Sequence, residues 1–210
     1  MTDQGQLPWD LNYDAAQFVE IPYLDATDTE GADVWIGTVL ERYGIRPDAA
    51  PGPAAQIAAT ARMMLGNARP GAARLWFAPP GIYSDLLVSI AVESSADRPD
   101  TEELFAGATS STAVDVTPLR TETHGAGYIV RWGVFLEDGA EEDGAEQDGA
   151  QQDGAEQDGT LVAQWTVLLN DGTWTILMDV LGTTLPAFLL FEQQLPQLIM
   201  GVRVPGAVVR

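Results

Sequence analysis

The chain has 210 residues, 46% of them hydrophobic, with six Trp, six Phe and five Tyr, enough to bury the core of one ordinary domain. Thirty-one acids against ten bases leave a formal net charge of −21, which repels phosphate backbones and anionic lipid and so excludes nucleic acid and membrane surfaces as general partners. Every base is arginine, cysteine is absent and His124 is the sole histidine, so lysine and thiol chemistry are excluded and neither a metal site nor a cofactor is expected.

Met1 to Gln6 has neither a basic n-region nor an apolar h-region, and no apolar stretch approaches membrane-spanning length. The expected location is the cytoplasm, and the arginine-only acidity fits a GC-rich bacterial genome or a salt-adapted one. Leu7 to Trp9 and Phe18 to Pro22 read as short extended pieces. Asp33 stands where an N-cap belongs, with Val34, Trp35, Thr38, Val39 and Arg42 behind it as a helical stripe ending near Gly44. Pro47 to Pro53 reads as a linker, and the alanine-rich run from Ala54 to Asn67 as a second helix. Ala73 to Ala78 and Leu86 to Glu93 are strand candidates separated by the turn Pro79-Pro80-Gly81. A short helix is expected within Pro99 to Gly107, and an alternating strand at Val114 to Val116 that stops at Pro118.

The C-terminal part carries the clearest periodicity. Tyr128 to Leu136, Leu161 to Leu169 and Trp174 to Val180 alternate with period two, and Asn170-Asp171-Gly172 joins the last two as a tight hairpin. Thr183 or Thr184 then caps a helix with Pro186 in its first turn, running to about Met200 with an apolar stripe of Phe188, Phe191, Leu195, Leu198 and Ile199. A meander closed by a helix predicts an α+β class: one domain over residues 1–210, with an antiparallel sheet packed by helices.

Residues 137–159, Glu137 followed by the repeat DGAEE-DGAEQ-DGAQQ-DGAEQ-DG, interrupt that meander and hold ten acids and no base. With no apolar side chain larger than alanine, it cannot offset the entropy of ordering its own backbone. The reading is a solvated, disordered expansion of a hairpin loop; closing a longer loop costs only about 0.6 kcal/mol per doubling of length. A calcium site is not expected, because aspartates recur every five residues and the alternate-position oxygens of an EF-hand loop are missing.

Two candidate sites follow. His124 lies in the Gly-rich connection before the first meander strand and is the only side chain titrating near neutrality by default, with Asp115, Glu122 and Ser110-Ser111 nearby in sequence; an inert loop histidine is the plainer alternative. Arg131, Gln164, Thr166, Thr175 and Asp179 alternate with the aromatic face, and Arg131, Gln164 and Asp179 form a candidate ligand-binding patch with Arg131 near Asp179. The plainer alternative is the wet side of a one-sided sheet.

From about residue 73 to 200, the order strand, strand, short helix, strand, meander, terminal helix resembles the PsbP-like α/β/α sandwich. The resemblance rests on pattern and implies a non-enzymatic binding or assembly role. The composite expectation is a protein-interaction or adaptor domain with a protein partner. The alternatives are a small-molecule-binding protein or enzyme using His124, and a cation-responsive protein working through the repeat.

Overall fold

The computed structural model describes residues 7, 9–45, 51–66, 71–95, 114–137 and 159–204. The expected short helix at 99–107, Ser110-Ser111 and the interior of the acidic repeat lie outside these residues.

Nine strands and three helices follow one another along the described chain. In order they are β1 (Asp10–Leu11), β2 (Phe18–Glu20), α1 (Thr29–Arg42), α2 (Pro51–Gly66), β3 (Ala72–Phe77), β4 (Leu86–Ser94), β5 (Val114–Thr121), β6 (Gly125–Glu137), β7 (Gly159–Asn170), β8 (Trp174–Gly182), α3 (Leu185–Gly201) and β9 (Val202–Arg203). All pairings are antiparallel, and β2 to β8 form one sheet in the order β2-β3-β4-β8-β7-β6-β5. The molecule is α+β, as its periodicities predict.

Element boundaries shift where a neighbour overrides a local signal. Asp28, rather than Asp33, caps α1, its carboxylate accepting from the Gly31 amide at 2.8 Å. Starting five residues earlier rotates the buried stripe to Ile36 and Val39 and leaves Val34 67% exposed. The expected linker ends early, since Pro51 already stands in α2, where a proline without a donor fits a first helical turn. Strand β5 runs through Pro118 to Thr121 instead of stopping at it. It is an edge strand, where a missing amide hydrogen is tolerated.

Two cores flank the sheet. Helix α3 crosses one face, where Phe188, Phe191, Leu195 and Leu198 pack on Phe77, Val88, Trp165, Val167 and Met178. The register of opposed pairs fixes this face: Arg131 opposes Trp165, and Trp165 opposes Val180. Helices α1 and α2 cover the other face over β2, β3 and β4, burying Ile36, Val39, Ile57 and Met64 on Trp76. Arg74 is also buried on that face, 1% exposed, its guanidinium donating to the Met64 carbonyl near the end of α2 and lying 5.6 Å from the Tyr23 ring. Its Nε and Nη1 have no hydrogen-bond partner among the described residues.

Asp85, in the loop before β4, fixes the start of α3. Its carboxylate accepts from the Thr183 amide at 2.8 Å, from the Thr183 hydroxyl, and from the Thr184 amide at 2.9 Å. Thr184 occupies the cap position without a side-chain bond of its own, so a residue 98 positions earlier in the chain satisfies the donors preceding the helix. Burial alone would raise the Asp85 pKa, but these hydrogen bonds outweigh it and hold the carboxyl below its ordinary range.

Candidate functional site: a groove between the C-terminal helix and the sheet edge

Seven strands about 4.8 Å apart span about 29 Å, whereas one helix with its side chains is about 10 Å wide. Because α3 sits toward the middle of the sheet, β5 and the start of β6 extend past its flank. Gly125 and Gly127 take the inward positions at the start of β6, so no side chain fills the step beside the helix end. Gly127 is obligatory: a Cβ there would lie 1.7 Å from the Leu168 carbonyl oxygen.

The result is a groove of about 420 Å³, within the range of small-molecule sites. Leu119 and Thr121 of β5 and Ile129 of β6 form its floor, and Leu195, Ile199 and Met200 of α3 form its wall. Met200 is 55% exposed at the mouth.

Arg131 stands at the polar end, 24% exposed and stacked 4.8 Å from the Trp165 ring. Its Nη1 donates to Asp115 at 2.9 Å and to Thr117 at 2.8 Å, while Nη2 donates to Glu192 of α3 at 2.9 Å. A guanidinium has five donor hydrogens in a fixed fork. Three are used here, which leaves Nε–H and one Nη2 hydrogen without a partner among the described residues.

His124 lies in the β5–β6 turn, outside the groove lining. It is 6% exposed, and its amide donates to the Thr121 hydroxyl at 2.9 Å. Nε2 is buried without a partner among the described residues. The next-door Thr123 hydroxyl reaches Met200 Sδ at 3.5 Å. The β5–β6 turn is thereby tied to the last turn of α3. Burial lowers the His124 pKa, against the opposing pull of the Ile199 carbonyl and of Asp171.

The sequence-derived patch is divided by the sheet. Gln164 and Asp179 share the α1–α2 side, where Asp179 accepts from Thr166 at 2.9 Å and Gln164 opposes Trp132 and Leu181. Arg131 lies on the α3 side beside Trp165, so it does not approach Asp179. The cause is phase: Tyr128, Val130 and Trp132 sit on the face opposite Trp165, so the aromatic positions of β6 and β7 do not form one side. Asp115 opposes Arg131, six residues along β5 from Thr121, or about 20 Å at strand rise, and so lies far from His124.

Sequence reasoning missed Leu119, Thr121, Ile129 and Glu192. The signal was present for β5, because Thr117, Leu119 and Thr121 continue the alternation of Asp115 once Pro118 is accepted in an edge strand. A second hollow of about 460 Å³ lies on the other side of β5 and β6, around Pro118, Tyr128 and Leu168, but no described helix walls it. Among the described residues no group of three His, Asp or Glu side chains is placed to hold a metal ion. No described helix is long and apolar enough to cross a membrane. No family model, curated protein or solved structure matches the chain.

Proposed function

We propose that the protein is a non-enzymatic binding protein and that the groove between α3 and the β5–β6 hairpin holds its ligand, a small apolar molecule. The observation that carries this reading is an apolar, open-mouthed groove with a fixed guanidinium at one end. Mostly hydrophobic lining with a few placed polar groups is the usual make-up of a ligand pocket. Glu192 is committed to Arg131, and His124 lies buried outside the lining, so neither is presented to a ligand as a free acid or base.

The test is a ligand-observed NMR screen of small apolar compounds against the wild type and Leu119→Trp, which places an indole in the groove. Hits that disappear in the variant, with its melting temperature within a few degrees of wild type, support the reading. Hits that persist unchanged place binding elsewhere and overturn it.

A second reading rests on the outer side of α3, where Leu185 and Leu189 are 47% and 67% exposed. Exposed apolar positions one helical turn apart suit a protein partner, the adaptor role that the PsbP-like resemblance also implies. Leu189→Glu separates the two readings: it abolishes capture of a partner protein and leaves groove ligands bound.

A further inference from the structure

Resting on the groove reading, we propose that the ligand is uncharged: an aliphatic molecule carrying a carbonyl-type hydrogen-bond acceptor at one end, which the spare donors of Arg131 receive.

The polar end of the groove selects for this. Arg131 meets two carboxylates, Asp115 and Glu192, each at 2.9 Å, so its charge is already neutralised. Counting Arg120 and Glu122 on the rim, the neighbourhood holds two arginines and three carboxylates, a surplus of one negative charge on a chain of −21. An anionic ligand would be a third carboxylate on one guanidinium and would have to enter against that field. A cationic ligand would sit beside the guanidinium and compete for carboxylates that are already hydrogen-bonded to it. A neutral acceptor meets neither obstacle.

The same neutral acceptor also answers a deficit. Nε–H and one Nη2 hydrogen lack partners among the described residues, while Asp115, Thr117 and Glu192 hold the plane of the group. The stack on Trp165 fixes its position from below. A carbonyl oxygen can accept both hydrogens at once, because it has two lone pairs. Beyond Arg131 the lining is mostly apolar: Leu119, Ile129, Leu195, Ile199 and Met200 offer an alkyl body dispersion contacts, with Thr121 on the floor and Arg120 and Glu122 on the rim as the other polar side chains. Discrimination therefore follows from the placed guanidinium donors at one end and the mostly apolar surface that receives the alkyl body.

The experiment compares three probes with one chain length, decanamide, decanoate and decyltrimethylammonium, by tryptophan fluorescence and calorimetry at neutral pH. Decanamide is expected to bind at least about tenfold more tightly than either charged probe. Arg131→Lys keeps the charge but loses the fork, and is expected to weaken decanamide by about tenfold while leaving decane-like probes without an acceptor unchanged. Tighter binding of decanoate, or of the ammonium probe, overturns the assignment of ligand class while the groove still binds. If no probe of any charge binds, the groove reading itself falls. Equal loss of all probes in Arg131→Lys would make the arginine a structural support only and would also overturn the proposal.

Discussion

Arg74 and Arg131 lie on opposite faces of one sheet and show two uses of the same side chain. Arg74 is 1% exposed, has no carboxylate against it among the described residues, and holds the end of α2 through the Met64 carbonyl. Arg131 is 24% exposed, paired to two carboxylates and open to a groove. The α1–α2 layer over β2 to β4 covers its arginine completely, whereas α3 is too narrow to cover the sheet as far as β5. Burial thus makes one guanidinium a packing element, and an uncovered strip of sheet leaves the other lining a groove. The burial that removes Arg74 from use also lowers its pKa.

The largest effect should come from emptying the buried position. Arg74→Ala removes a packed side chain and orphans a helix-end carbonyl, and should cost about 3 kcal/mol in urea unfolding. Arg74→Met, which restores the volume without the charge, should recover most of that loss, because replacing an imperfectly satisfied buried charge by an apolar group is often neutral. Equal losses in the two variants would mean that the charge itself stabilises the α1–α2 layer, and the contrast with Arg131 would fail.

Asp85→Ala should come next, at about 2 kcal/mol, since three donors at the start of α3 lose one charged acceptor. Because the folded Asp85 pKa is depressed, its contribution is present above the unfolded carboxyl pKa and is lost as pH falls through the folded value. His124 gives a smaller effect at milder acidity. Its folded pKa lies below the ordinary 6.5, so the unfolded chain takes up the proton first. Stability is full above about pH 6.5 and falls as pH drops below it. His124→Gln should flatten that part of a pH–stability curve; a wild-type curve flat between pH 7 and 5 would contradict the buried, neutral imidazole.

The smallest effect is expected from the acidic insertion. Replacing residues 138–154 by a direct connection should move the melting temperature by no more than a few degrees, as the segment carries no side chain suited to a core. A collapse of the transition would show that the segment contributes to packing.

How much of this was legible in the sequence depended on whether the deciding interactions were local. The strands β6, β7 and β8, the Asn170-Asp171-Gly172 turn and α3 were readable because alternation, turn chemistry and a 3.6-residue stripe are written in neighbouring positions. The register is less local. Nothing within β6 announces that Arg131, rather than Trp132, opposes Trp165, so the patch drawn from Arg131, Gln164 and Asp179 is split by the sheet. Pro118 misled by its ordinary meaning, since only sheet order reveals that β5 is an edge. The tertiary cap from Asp85 to Thr183 and Thr184 spans nearly half the chain and leaves no mark in either segment. The groove was invisible for the same reason: it is a mismatch between sheet width and helix width, a property of the assembled layers.

The most direct test of the groove is a methyl NMR titration of the wild-type protein with decanamide. The account predicts that the methyls of Leu119, Ile129, Leu195, Ile199 and Met200 shift together along one binding curve, while those of Ile36 in α1 and of Ile57 and Met64 in α2 stay in place. Shifts confined to Leu177 and Leu181 on the opposite face, or no methyl shift at saturating probe, would contradict it.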